Sequence, residues 1–304
     1  MKDLKSFLTI DSTFFSKEIE ATHPLNQILE KGLSQYTVSQ NDFNTPDILW
    51  GKERYQLEKS SLFMGLDEEK QNKILAKMTQ LNLSLSCYIE KSGHNYGAKM
   101  ILLSDSIQEK SLYSMFVAEE AIHLKEFSHF VQFKIDPQIH WHPMLNPLAK
   151  VIQQGEKNTC LYVIQVLLEG FGMSHYNSLK NDCEYRPLVN VFNRILKDEA
   201  RHHGAGLIMA KESQLKKIER EEIFEYTREF VKALQSANWV IEVIEEFSSP
   251  ISKQEKKKHY EETQYQSTIE KRLLMLKEML LKADKENLVR DLEADGVFKF
   301  SGID

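Results

Sequence analysis

Thirty residues separate Glu90 from Glu120, and thirty separate Glu169 from Glu199. Three residues beyond the second glutamate of each pair stands a histidine, His123 in the first copy and His202 in the second. On an α-helix, residues i and i+3 share a face, so each Glu-x-x-His aims a carboxylate and an imidazole the same way. The break that separates the two helices of the first copy falls near residue 105, equidistant from Glu90 and Glu120. In an antiparallel hairpin such residues lie side by side, each about 20 Å from the turn. The second copy behaves alike around a turn at Asn181 to Glu184, with Pro187 placed for the first turn of the next helix. Ligand spacing and turn position are independent facts, and they agree.

Four such helices bring four carboxylates and two imidazoles to one place. This is the donor set of a di-iron or di-manganese carboxylate centre inside a four-helix bundle. The set Glu90, Glu120, His123, Glu169, Glu199 and His202 offers hard oxygens with one imidazole per metal and no thiolate. It therefore suits two irons, or manganese in place of one or both, better than a closed zinc site. One histidine and one terminal glutamate fall to each metal, and the glutamates of the two Glu-x-x-His motifs bridge. Glu169 lies inside the apolar run LYVIQVLLEGFGM, where an uncompensated carboxylate would be costly. Glu119 and Asp198 immediately precede the motif glutamates, and a metal-bound imidazole needs its other nitrogen held. Asp198 is placed to reach His123 across the bundle, and Glu119 to reach His202.

Here the segments FVAEEAIHLKEF (116–127) and ILKDEARHHGAG (195–206), with Glu90 and Glu169, resemble the ferritin-like di-iron oxygenase superfamily. The resemblance covers roughly residues 70–210 and is similar to acyl-carrier-protein desaturases, bacterial multicomponent monooxygenases and arylamine N-oxygenases. It implies reduction of dioxygen, an external reductase or ferredoxin as electron donor, and oxidation of a small organic substrate by hydroxylation, N-oxygenation or desaturation. Two departures limit it. Phe127 stands where ribonucleotide reductase small subunits usually carry a radical tyrosine, which rules out a stable tyrosyl radical at that position. Ile195 stands where arylamine N-oxygenases carry an additional histidine.

The expected fold is all-α: a ferritin-like four-helix bundle with added N- and C-terminal helices, in one domain over 1–304. An N-terminal wrap takes 1–65, the metal-binding core 66–212 and the C-terminal helices 213–304. In the wrap, Phe14, Phe15, Tyr36, Phe43, Trp50 and Tyr55 are expected to pack on the bundle, with helix over Pro24 to Leu33 and again from Trp50 through Leu62. Asp67 is the expected N-cap of the first long helix, and Ser106 with Glu109 reads as a capping box for the second. The prolines of 136–155 mark a crossover. Beyond Ala210, helices over 219–247 and 253–285 cover the bundle or form a subunit interface, which leaves a homodimer open, and 296–304 reads as a tail.

A net charge of −6 without a basic block disfavours nucleic acid. The most apolar stretch is too short to span a bilayer, and three scattered cysteines suit a reduced cytoplasmic protein. Neither a nicotinamide nor a flavin fingerprint is visible. His94, one turn after Glu90, is a candidate neighbour of the ligands or an extra one. His129, His140, His142 and His175 follow no ligand spacing. Tyr113, Phe116, Phe127, Tyr162, Gln165 and Phe192, one or two turns from ligands on the same faces, are the expected substrate-pocket residues. Two other functions fit the same motifs: a protein that oxidises only iron or scavenges peroxide, and a helical scaffold that keeps a metal for stability.

Overall fold

The first two long helices of the core begin where a side chain occupies a free backbone N–H. The computed structural model describes residues 19–20, 22–37, 44–131, 142–235, 239–283 and 287–302. Helix α1 is Pro24–Leu33 and α2 the single turn Ser61–Met64. Asp67 then caps α3, Glu68–Leu103, accepting from Lys70 N at 2.9 Å. Ser106 caps α4, Ile107–Ser128, through Glu109 N at 3.1 Å, but the expected capping box is incomplete. The Glu109 carboxylate turns instead to Asp105 N and to the Lys157 ammonium. The crossover expected in 136–155 contains α5, Leu145–Gln154, while Pro137 lies outside the described residues. Buried Lys99 ties α5 to the core by donating to Ile152 O, 2.8 Å, and to Gly155 O at its C-terminal end.

Helix α6 starts as Lys157–Cys160, loosens into a π-helix over Leu161–Leu168, and resumes as an α-helix over Glu169–Asn181. Helix α7, Arg186–Glu212, opens with Pro187 in its first turn, where proline's missing N–H is not needed. The close pairings within the four-helix core are α3 with α4, α6 with α7, and α4 with α7. On the fourth side, between α3 and the second half of α6, lies a cavity. Among the described residues there is no strand, and no helix is long and apolar enough to cross a membrane.

Among the described residues, five helices follow toward the C-terminus, and the first four of them line that cavity. They are α8 Lys217–Gln235, α9 Trp239–Phe247, α10 Lys253–Glu262, α11 Tyr265–Leu281 and α12 Leu288–Ala294. The α11 seam Ile269, Leu273, Leu276 and Leu280 is buried in the core cluster that also holds Tyr96, Tyr162 and Phe230. The helix expected over 253–285 is interrupted at Gln264, which takes a left-handed φ of 53° and sends α11 off in a new direction. Nor is 296–304 simply a tail: Val297 is buried, and Ser301 bonds the Gln235 side chain.

Part of the N-terminal segment packs on the core. Trp50 is buried and donates from Nε1 to Leu179 O at 2.8 Å, at the turn end of the α6–α7 hairpin. Two corrections apply there. The helix expected from Trp50 to Leu62 is broken into 3₁₀ turns at Lys52–Tyr55 and Leu57–Lys59 by Gln56, φ 55°. Tyr36 is 68% exposed rather than packed, since α1 buries none of its own residues. Phe14, Phe15 and Phe43 lie outside the described residues.

The two kinds of contact differ in magnitude. Leu276→Ala leaves a cavity at a fully buried position and is expected to lower unfolding free energy by about 2–5 kcal/mol. Asp67→Ala removes one exposed cap and is expected to cost about 1 kcal/mol. Urea midpoints measure both, and equal losses would contradict the placement of α11 in the core.

Candidate metal centre

All six sequence-predicted ligands converge. Glu90 comes from α3, Glu120 and His123 from α4, Glu169 from the junction where the π-helical stretch of α6 ends, and Glu199 and His202 from α7. Donor atoms of Glu90, Glu120, His123 and Glu199 lie within 4.8 Å of one another, and so do those of Glu169, Glu199 and His202. Glu199 belongs to both groups, as a bridging carboxylate must. Glu120 joins the first group, and its Oε1 stands 3.4 Å from His202 Nδ1, the inward nitrogen of the second. The side chains of Glu90, His123 and His202 are each 1% exposed.

The carboxylates that precede the motifs hold the outward ring nitrogens, and they do so across the bundle. His123 Nε2 is 3.1 Å from Asp198 Oδ2. His202 Nε2 is 2.8 Å from Glu119 Oε2. With both outward nitrogens held by carboxylates, both Nδ1 atoms face inward, His123 Nδ1 at 3.2 Å from Glu90 Oε2. Arg201 joins the two supports, donating from one Nη2 to Glu119 and to Asp198.

The residues fit a pair of cations. Buried Glu169 Oε2 and His202 Nδ1 have no hydrogen-bond partner, although one is an acceptor and the other an inward ring nitrogen. Burial, then repulsion from Glu90 and Glu199, holds the Glu120 carboxyl well above the usual range. Burial likewise raises Glu169, and it pushes Glu199 up to about 7 with help from Glu90. Burial alone would depress His123, but its bonds to Asp198 and Glu90 outweigh this and raise it well above the ordinary imidazole value. Protons thus perform the neutralisation that divalent cations would perform, because four carboxylates at this separation cannot all remain ionised in an apolar site.

Three neighbours of the centre carry no ligand spacing. Tyr176 donates its hydroxyl to Glu90 Oε1 at 2.6 Å. It follows Glu169 by two helical turns on the same face, a signal the sequence does contain. Arg201 sits inside the second motif. Gln165 accepts from the Tyr96 and Tyr113 hydroxyls at 2.7 and 2.8 Å and donates to His202 O at 2.6 Å. Gly93 leaves room for a ligand, since a Cβ there would lie 2.5 Å from the Glu120 carboxyl carbon. His94 joins neither donor group among the described residues; its ring bonds the main chain of Glu120. His203 bonds Gln165 O at 3.1 Å and supports the π-helical stretch.

The expected pocket is elsewhere. None of Tyr113, Phe116, Phe127, Tyr162, Gln165 and Phe192 lines the cavity of about 270 Å³ that reaches Glu90, Glu120, Glu169 and Glu199. Those six fill the space around α4 and α7. Phe116 packs on the His202 ring at 3.9 Å, Phe127 and Phe192 pack on Tyr176, and the Tyr162 hydroxyl donates to Ala210 O at 3.1 Å. The open side faces α3 and α6, where Leu81, Leu85 and Ile89 meet the cavity instead of another helix. Facing a ligand along a helix does not decide which side of the ligand is empty.

No family model, no curated protein and no solved structure matches this chain.

Asp198→Asn and Glu119→Gln should each lower metal affinity by roughly 10–100-fold without removing a ligand. Competition with a chelating dye measures this, and unchanged affinity would contradict the supporting role. A pH effect follows from two other histidines. Burial pushes His142 down to about 4 and His175 down to about 3, with neighbouring cations adding to it. The unfolded chain binds those protons near pH 6.5, so folding free energy should fall as pH drops from about 6.5 toward 4. Urea unfolding at several pH values should show a shallower fall in the double variant His142→Asn/His175→Asn; an unaltered slope would contradict it.

Proposed function

We propose that this protein is a di-iron oxidoreductase that uses dioxygen to oxidise a small organic substrate. The observation that carries the reading is the crossed pairing of each inward-facing imidazole with a carboxylate from the opposite motif, around two donor groups that share Glu199. Two irons held there would supply the electrons that reduce dioxygen, chemistry that side chains alone lack.

The chain's own residues provide the rest. Asp198 and Glu119 fix the tautomer and tilt of the two histidines. Tyr176 holds one oxygen of Glu90, and the other faces His123 Nδ1 at 3.2 Å and the centre. Glu169 Oε2, with no partner, is free to turn as charge at the centre changes. The π-helical stretch before Glu169 exposes carbonyls out of α-helical register, a feature that recurs near functional sites. Leu168, Ile89 and Phe171 keep the cavity beside the glutamates apolar and limit water there.

A protein that oxidised only its own metal would have no use for an apolar cavity beside its ligands, and this favours an organic substrate. Manganese in one or both positions fits the same donors. Electrons come from an external donor in this reading.

Anaerobic ferrous titration followed by dioxygen tests the proposal. Uptake of about two irons per chain, dioxygen consumption and a transient visible absorbance are the expected result. Glu199→Ala, which removes the shared ligand, should lose at least one iron and the transient. A single bound zinc, or no metal and no dioxygen consumption, would overturn the assignment. Dioxygen use without any oxygenated or desaturated product, across a substrate panel read by mass, would favour oxidation of iron alone.

A further inference from the structure

The cavity beside the glutamates is bipolar. One end is formed by Glu90, Glu120, Glu169 and Glu199; elsewhere its wall carries Arg54, Arg272, His142 and His175. The lining is mostly apolar, with Leu85, Ile89, Leu148, Leu168, Phe171 and Ile269 among its residues. The two charged regions are separated along the helices. A Cβ on Gly170 would lie 3.2 Å from Met279 Sδ, which sets α6 against α11 at that level. His175 is five residues further along α6, and Arg272 seven residues back along α11. At 1.5 Å per residue, this puts the cationic region roughly 8–10 Å from the Glu169 level.

Arg272 is the unusual member. Its side chain is accessible at the cavity wall, and among the described residues it has neither a carboxylate nor a hydrogen-bond acceptor as partner. Protein atoms packed around its base, with Arg54 adding to the effect, lower the guanidinium from its usual value although the side chain is exposed. Arg54 also lines the cavity, but its charge is met by Asp182 at 2.5 Å, while its Nε is buried without a partner. Arg272 acts on both His142 and His175, and all of these groups lie near one another. The two histidines stay neutral at neutral pH, so the region holds one uncompensated positive charge. A guanidinium that is accessible at the cavity wall and has no protein partner among the described residues has its N–H donors available to an anion.

We infer that this cavity binds a compact apolar monocarboxylate, its carboxylate held by Arg272 with Arg54 beside it and its apolar body extending toward Glu90 and Glu169. One uncompensated charge matches a monoanion rather than a dianionic phosphate. A guanidinium presents two parallel N–H donors to a carboxylate. A volume of about 270 Å³ lies just below the range of roughly 300 to 1,000 Å³ for small-molecule pockets, so the ligand is small. The carbon oxidised would be remote from the carboxylate, at the glutamate end. As a substrate assignment this rests on the oxidoreductase reading above; as a binding site it stands alone.

The test is titration calorimetry on manganese-loaded full-length protein without dioxygen, using octanoate, octan-1-ol and octyl phosphate as probes. Octanoate should bind at least tenfold more tightly than octan-1-ol. Arg272→Gln should remove that preference while leaving octan-1-ol affinity unchanged, and Arg272→Lys should keep part of it. Equal affinity for octanoate and octan-1-ol in the wild type would overturn the proposal, even if Arg272→Gln failed to fold. Equal loss for both probes in the variant would also overturn it, as a merely structural effect. Tighter binding of octyl phosphate than of octanoate would overturn the monoanion assignment. Because no turnover is read, octanoate preference without dioxygen chemistry would keep this site and remove only the oxidoreductase reading; the converse pattern would remove only this site.

Discussion

Six ionisable side chains crowded into the middle of a helical bundle are the constraint on which the molecule turns. Burying a carboxylate with no partner costs several kcal/mol even after relaxation, and here four lie close enough to repel one another. Each neighbouring feature mitigates that cost or directs the charges. Asp198 and Glu119 take the outward imidazole nitrogens, Arg201 offsets the charge of those two carboxylates, and Tyr176 satisfies one oxygen of Glu90. What these contacts leave is an inward set of oxygens and two nitrogens in two groups joined by Glu199. Such a set is stable with protons or with cations, and the two compete for the same atoms.

Helix geometry makes the arrangement possible because α3 with α4, and α6 with α7, are antiparallel hairpins. Ligands equidistant from a turn must meet, so the spacing of thirty residues is both a sequence fact and a distance constraint. The fourth side of the bundle is the exception. There α3 and the second half of α6 do not close on each other; the C-terminal helices and α5 cover the gap, and the cavity results. The apolar run Leu161–Leu168 that leads to Glu169 adopts π-helix, and Gln165 within it bonds two tyrosines and the main chain of His202. A local irregularity is therefore fastened directly to a ligand-bearing helix.

The core helices, their caps and the six convergent side chains are legible in the sequence because they depend on periodicities of three, four and thirty residues. The crossed bonds from Asp198 and Glu119 are legible for the same reason: they follow from the position before each motif glutamate. The cavity is not. Its walls come from Tyr55, Leu148, Phe171, Phe230 and Ile269, contributed by segments far apart in the chain. The aromatic residues next to the ligands instead fill the α4–α7 side. Local breaks are hidden too, since Gln56 and Gln264 take left-handed conformations that a glutamine does not advertise. Arg272 reads as one more charge on a charged helix until the helix is placed, and only then is it seen to stand alone against a cavity wall.

X-ray absorption at the iron edge, on anaerobically ferrous-loaded protein, addresses the centre most directly. Carboxylate-bridged irons should show an iron–iron scattering distance of about 3.5–4 Å and a first shell of oxygen with about one imidazole per iron. A mononuclear spectrum with no iron–iron vector, or a first shell containing sulfur, would contradict the shared role of Glu199 and with it the paired centre.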